Sequence, residues 1–208
     1  MNILFVFSDQ QRWDTVGCYG GPDITPNLDR LAREGVRFSH TFTCQPVCGP
    51  ARACLQTGRF ATETGCFRNG IALPLGETTL ARCLSAAGYD VGYVGKWHLA
   101  STMSWDCPDI GPDVDHQATA VPPEYRGGYD DFWLASDVLE FTSHGYDGHM
   151  FDSEGKRREF PPGRYRADAQ TDWVLQYLHD RTAEQPFFLF VSYIEPHHQN
   201  DHGHHEGP

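Results

Sequence analysis

Four short groups of polar residues carry side chains suited to handling an anion and a metal ion, and three of them directly follow apolar runs. Asp9 and Gln10 come after residues 3–8, Lys96 and His98 after residues 89–94, and His197 and His198 after residues 187–194. Asp9 and Gln10 offer hard oxygen donors of the kind a divalent cation takes. Lys96, Arg52 and His98 offer positive charge for an anion. The fourth group is Cys48-Gly49-Pro50-Ala51-Arg52, in which the cysteine sits just before a proline that opens a short helix. A helix N-terminus with a nearby cation is itself an anion site, so the four groups together suit an anionic substrate and a hard metal.

These groups must be positioned by the elements around them. The continuous apolar runs at 3–8, 89–94 and 187–194 predict strands covered on both faces, as in a parallel sheet. Residues 25–35 predict a helix with Thr25 as N-cap, Pro26 in the first turn, Leu28, Leu31 and Ala32 on one face and Gly35 as the stop. A strand is expected over 36–43. Further helices are expected over 50–57, closed by Gly58, over 77–87, closed by Gly88, and over 167–181. The alternation predicts an α/β fold, a doubly wound, mostly parallel sheet flanked by helices. Ligands of such sheets bind outside the carboxyl ends of the strands, where Asp9, Lys96 and His197 all fall. Between about 101 and 162 the periodicity fades into Pro, Gly and Asp, which reads as a variable insertion with short elements of its own.

Sixteen basic against twenty-eight acidic residues give a net charge of −12, which repels nucleic acid and anionic membrane surfaces. No apolar run approaches the roughly 20 residues that span a bilayer. The first nine residues lack the basic region of a signal peptide, so a cytoplasmic protein is expected. The seven cysteines, at 18, 44, 48, 54, 66, 83 and 107, make a disulfide framework a poor reading. Cys44 with Cys48 is half a zinc-finger pair, but no second pair at finger spacing follows. Cys18, Cys54, Cys66, Cys83 and Cys107 read as structural.

The string Cys48-Gly49-Pro50-Ala51-Arg52, continued by Leu55-Gln56-Thr57-Gly58-Arg59, resembles the signature of the formylglycine-dependent sulfatases of the alkaline phosphatase superfamily. Ser8-Asp9-Gln10, Thr25-Pro26-Asn27-Leu28-Asp29-Arg30-Leu31-Ala32 and Gly95-Lys96-Trp97-His98-Leu99 agree with the same family in order and context. The resemblance implies hydrolysis of a small-molecule or saccharide sulfate ester to alcohol and sulfate. It implies oxidation of Cys48 to formylglycine by a separate maturation enzyme, and one calcium ion held by Asp9, Gln10 and residue 48. Many members carry Asp at the position of Gln10, so one negative charge fewer stands here. Arg52 would hold the hydrated aldehyde, Lys96 the sulfate oxygens, His98 the hydroxyl proton, and His197 the sulfate or leaving oxygen. A phosphonate monoester or phosphodiester hydrolase of the same superfamily, and a non-catalytic truncated fragment, are the rival expectations. Family members are usually more than twice as long and take further metal ligands and a second lysine from later segments. Residues 1–208 are therefore expected to be the N-terminal part of the catalytic domain, truncated at the C-terminus. Asp201-His202-Gly203 resembles a late metal motif of the family only superficially, since it follows His197 too closely; it and the nearby His204 and His205 read as a loop cut short.

Overall fold

The computed structural model describes residues 1–104, 108–181 and 184–199. Cys107 and the 201–205 segment lie outside the described residues.

Strands β1 (Ile3–Ser8), β2 (Asp90–Lys96), β3 (Phe132–Ser136), β4 (His149–Asp152), β5 (Arg157–Glu159) and β6 (Phe187–Tyr193) form one sheet in the order β1-β6-β2-β3-β4-β5. The first three pairings are parallel and the last two antiparallel. The sheet is thus mixed: a parallel half carries the ends that bear the polar groups, and an antiparallel ribbon extends it.

The apolar runs are continuous because both faces are covered. Ala53 of α2 (Cys48–Thr57) and Ala81 of α4 (Leu80–Ala86) join Tyr93, Trp133, Phe188 and Phe190 on one face. On the other, Trp173 and Val174 of α5 (Arg166–Asp180) pack with Leu134 and with Val94, Leu189 and Val191. Across the first face runs a row of stacked rings, Phe5 on Phe190, Phe190 on Tyr93 and Tyr93 on Trp133, with centroids 4.6, 5.1 and 5.4 Å apart. Each pair is also a register pair of adjacent strands. A slip of one residue would turn a whole strand's rings to the wrong face and forfeit about 0.5–1.5 kcal/mol per ring pair beyond the buried area. The row therefore locks which residues emerge at the carboxyl ends.

Gly95 tightens the same corner. It has φ +111°, and a Cβ there would lie 1.9 Å from the Ser192 carbonyl oxygen of β6. Only glycine lets β2 approach β6 this closely just before Lys96.

Several expectations are corrected. Residues 36–43 form no strand; Val36, Phe38 and Phe42 are all more than two-thirds exposed, because alternation without a partner ladder makes no strand. The helix α1 (Pro26–Glu34) forms, but it buries none of its residues, and Leu28 and Leu31 face solvent. Thr25 is its N-cap by position, yet its hydroxyl accepts from Gly17 N instead of from the helix. Helix α2 starts at Cys48 rather than Pro50, which places the cysteine in the first turn itself. After the four-residue helix α3 (Ala61–Thr64), helix α4 starts at Leu80, where the Thr79 hydroxyl accepts from Arg82 N. The six cysteines that are described are free, and of these only Cys66 is buried. Among the described residues no helix is long and apolar enough to cross a membrane.

Candidate active site

Each group singled out in the sequence reaches one corner, at the carboxyl ends of β1, β6 and β2. Asp9 is the first residue after β1, and its N–H donates to the Tyr193 carbonyl at the end of β6. Its carboxylate is shared. Oδ2 accepts from Arg52 Nη2 at 3.1 Å and from Lys96 Nζ at 2.9 Å, while Oδ1 faces the Cys48 thiol at 3.7 Å. Burial pushes the Asp9 carboxyl upward, but the Lys96 and Arg52 cations outweigh it and hold the group well below the usual carboxylate range.

Arg52 ties the strands together from helix α2. Nη1 donates to the Lys96 carbonyl at 2.6 Å and to the Ser192 hydroxyl at 2.8 Å, and the guanidinium lies over the Phe7 ring. One side chain thus contacts residues from β1, β2 and β6, which a lysine could not do with a single donor point. The first turn of α2 is anchored separately, by Gly49 N donating to Asn69 Oδ1 at 2.8 Å. Burial raises the Cys48 thiol above its ordinary value, so the unmodified side chain is protonated and a poor nucleophile at neutral pH.

Lys96 is fully buried, and its ammonium also meets Glu140, which lies four residues beyond the end of β3. Burial raises the Glu140 carboxyl and Lys96 outweighs it, so the net shift is downward and the group is ionised. Glu140 Oε1 stands 3.8 Å from His197 Nε2, while Oε2 is buried with no partner among the described residues. Nδ1 of His197 donates to the His198 carbonyl at 2.6 Å, which leaves the lone pair on Nε2. His197, not His198, lines the cavity, which measures about 650 Å³ and is also walled by Asp9, Gln10, Cys48, Arg52 and Asn69. Lys96 and His98 are not among the cavity walls; they sit beneath it.

His98 donates its backbone N–H to the Asp137 carbonyl at 2.7 Å. Asp137, buried at the end of β3, accepts with its carboxylate from Leu99 N, Ala100 N and the Ser101 hydroxyl, and so clamps the loop that follows Lys96. Gln10 and His98, each in the first turn after a strand, are the described non-glycine residues with positive φ, at 59° and 58°. Such backbone is sparsely populated and tends to collect at functional sites.

Burial pushes His98 down to about 3 from an ordinary 6.5, with the Lys96 cation adding to it. The folded imidazole is therefore neutral across the range in which the unfolded one takes a proton. Between pH 6.5 and about 3 the unfolded state binds more protons, so this group's contribution is whole above 6.5 and is lost as pH falls through that window. His98→Gln is expected to flatten the dependence of unfolding free energy on pH between 6.5 and 4 by about 1.4 kcal/mol per pH unit. Urea melts at several pH values check this, and parallel slopes for the two proteins would refute it.

Sequence reasoning missed Glu140, Asp137, Ser192 and Asn69. For Asp137 a signal was present: Phe132 to Ala135 is an apolar run followed by Ser136-Asp137, the same strand-then-polar pattern as the other ends.

Comparison with known proteins identifies the family. The family model described as Sulfatase matches residues 1–206. The chain belongs to the sulfatase family. It is 33% identical over 219 residues to the uncharacterized sulfatase YidJ of Escherichia coli (strain K12), a match covering 95% of this chain and 38% of that one. It is 31% identical to an N-acetylglucosamine-6-O-sulfatase of Bacteroides thetaiotaomicron, over 94% of this chain and 30% of that one. A protein solved in complex with its substrate D-glucosamine-2-N,6-O-disulfate superposes with a TM-score of 0.75 at 30% identity, covering 94% of this chain and 34% of that one. This sulfatase chain thus spans about a third of the length of the relatives it matches.

Proposed function

We propose that this chain carries the nucleophile-bearing part of a sulfate-ester hydrolase acting on a sulfated saccharide, with Cys48 oxidised to formylglycine. The observation that carries the reading is the placement of Cys48. It stands in the first turn of α2, on the cavity, with Sγ against the one Asp9 oxygen that Arg52 and Lys96 leave free. The saccharide class is supported by the names of the relatives, one an N-acetylglucosamine-6-O-sulfatase and one bound to a glucosamine disulfate.

Hydrated, an aldehyde at position 48 supplies one hydroxyl to attack sulfur and a second whose deprotonation expels sulfate. Asp9 and Gln10 fit a hard divalent cation, calcium by the family's pattern, because Asp9 Oδ1 is unclaimed by either buried cation and Gln10 walls the same cavity. Bound there, such an ion supplies Lewis-acid polarisation. The remaining work falls to this chain's own side chains. Arg52 fixes Asp9 relative to residue 48 and lends positive charge to the floor of the site. Lys96 adds a second positive charge beneath the sulfate oxygens. His197, its Nδ1–H held by the His198 carbonyl, faces the cavity with Nε2, which takes a proton from solvent and passes it to the leaving oxygen. The family's pattern gives His98 the proton of the hydroxyl that remains, but here its imidazole is buried, neutral and off the cavity walls, so it fits the support of the loop after Lys96 better than proton transfer.

The test is the mass of the tryptic peptide Phe38 to Arg52 from protein made in its native host, with Cys44 in the same peptide as an unmodified control. An aldehyde localised to residue 48, with faster turnover of an aryl sulfate than of an aryl phosphonate ester, is expected. A thiol at residue 48 would refute the nucleophile; faster phosphonate turnover would reassign the chain to the phosphonate hydrolases of the superfamily.

A further inference from the structure

The donor atoms of Asp9, Cys48 and His197 all lie within 4.8 Å of one another. A carboxylate oxygen, a sulfur and an imidazole nitrogen are not the donor set of calcium, which takes oxygens. They are the set of a zinc-class ion, bound by three protein ligands with a fourth position open. We propose that the chain with Cys48 still a thiol binds zinc, or a divalent ion of similar softness, through Asp9, Cys48 and His197. The inference goes beyond the hydrolytic reading: it concerns the unmodified protein and does not require turnover.

Three features prepare this set. Asp9 divides its oxygens, Oδ2 to Arg52 and Lys96 and Oδ1 toward the sulfur, so the cations need not be displaced for the metal to bind. The Lys96 charge is offset by Glu140, which reduces the repulsion a dication would meet. Finally, Nδ1 of His197 donates to a backbone carbonyl, the outer contact that commonly orients a metal-binding imidazole and leaves Nε2 as the ligand.

Binding is balanced by one proton. The Cys48 S–H bond breaks as the S–metal bond forms, and the proton passes to solvent; no oxidant is involved. The carboxylate and thiolate then cancel the charge of the dication. Oxidation of Cys48 removes the sulfur and replaces a soft donor with oxygen, so maturation would shift the corner from zinc-class toward calcium-class ions.

The experiment uses the full chain, confirmed by mass to carry the thiol and stripped with chelator, titrated with Co²⁺ alone. A thiolate-to-cobalt charge-transfer band saturating at one equivalent, and bleached by added Zn²⁺, is expected. Cys48→Ala should abolish the band and His197→Gln should weaken Co²⁺ binding by more than the ~10–100-fold typical of losing an outer-shell contact. Cys48→Ser, which keeps the size of the side chain, should also lose the band while melting cooperatively, so a folding defect is not mistaken for a lost ligand. A Cys44→Ala/Cys54→Ala variant should keep it. No band in the starting protein, or a band that survives in Cys48→Ser, would overturn the proposal. Neither result would touch the hydrolytic reading, which rests on the aldehyde form and is measured by ester turnover.

Discussion

Cys48→Ala, in protein passed through the maturation enzyme, is expected to lose hydrolysis of an aryl sulfate by a factor on the order of 10⁴ or more in kcat/KM. The size follows from what is left behind. Asp9, Arg52 and Lys96 keep their ion pairs, but nothing remains at the first turn of α2 to attack sulfur. Stability should hardly change, because the side chain is only half-buried and losing one sulfur there costs about 1 kcal/mol. Cys48→Ser separates attack from release. Its hydroxyl can displace the alcohol once, but with no second hydroxyl on the carbon the sulfate stays esterified to Oγ. The expected readout is at most one equivalent of phenol per chain and a sulfated peptide. Sustained turnover by either variant would mean that the nucleophile lies elsewhere.

The second large effect is on the fold. Lys96→Met is expected to destabilise the protein by roughly 3–5 kcal/mol, the cost of removing one partner of a buried ion pair, and to lower the melting temperature by about 10 °C for a chain of this size. Lys96 lies between two carboxylates, and they do not lose equally. Asp9 keeps Arg52 at 3.1 Å, whereas Glu140 is left in a buried place where its second oxygen already lacks a partner among the described residues. Neutralising that orphan should therefore recover much of the loss: Lys96→Met/Glu140→Gln should melt well above Lys96→Met alone. Activity should not return, because the positive charge proposed to lie beneath the sulfate is still missing. If the double variant melts no higher than the single one, Glu140 is not the strained partner and the electrostatic account of this corner is wrong.

Much of the site was legible because its chemistry sits where strands stop. Asp9, Lys96 and His197 each follow a long apolar run, and a run that ends abruptly in charge marks both the strand and its functional end. Cys48 and Arg52 were legible from a short motif with a proline between them. What sequence could not show was partnership. Glu140 is one of twenty-eight acidic residues, and nothing local distinguishes it; only the parallel pairing of β3 with β2 carries it to Lys96. The error at 36–43 has the same root in reverse, since Val36, Phe38 and Phe42 look like one face of a strand but find no ladder to join. The exposure of α1 follows suit: an apolar stripe shows what a helix could bury, and the surrounding structure decides whether it does.

The strand order has a consequence in time. β6 lies between β1 and β2, so β1 has no strand to pair with, and β2 has only β3, until residues 187–193 have been made. Arg52 cannot find Ser192, and Asp9 N–H cannot find the Tyr193 carbonyl, before then. At synthesis rates of about 5–20 residues per second, the ~145 residues between Cys48 and the end of β6 take roughly seven to thirty seconds to emerge. Throughout that interval Cys48 is part of a chain that cannot yet close its pocket, so the oxidation proposed for it has its opportunity before the sheet is complete.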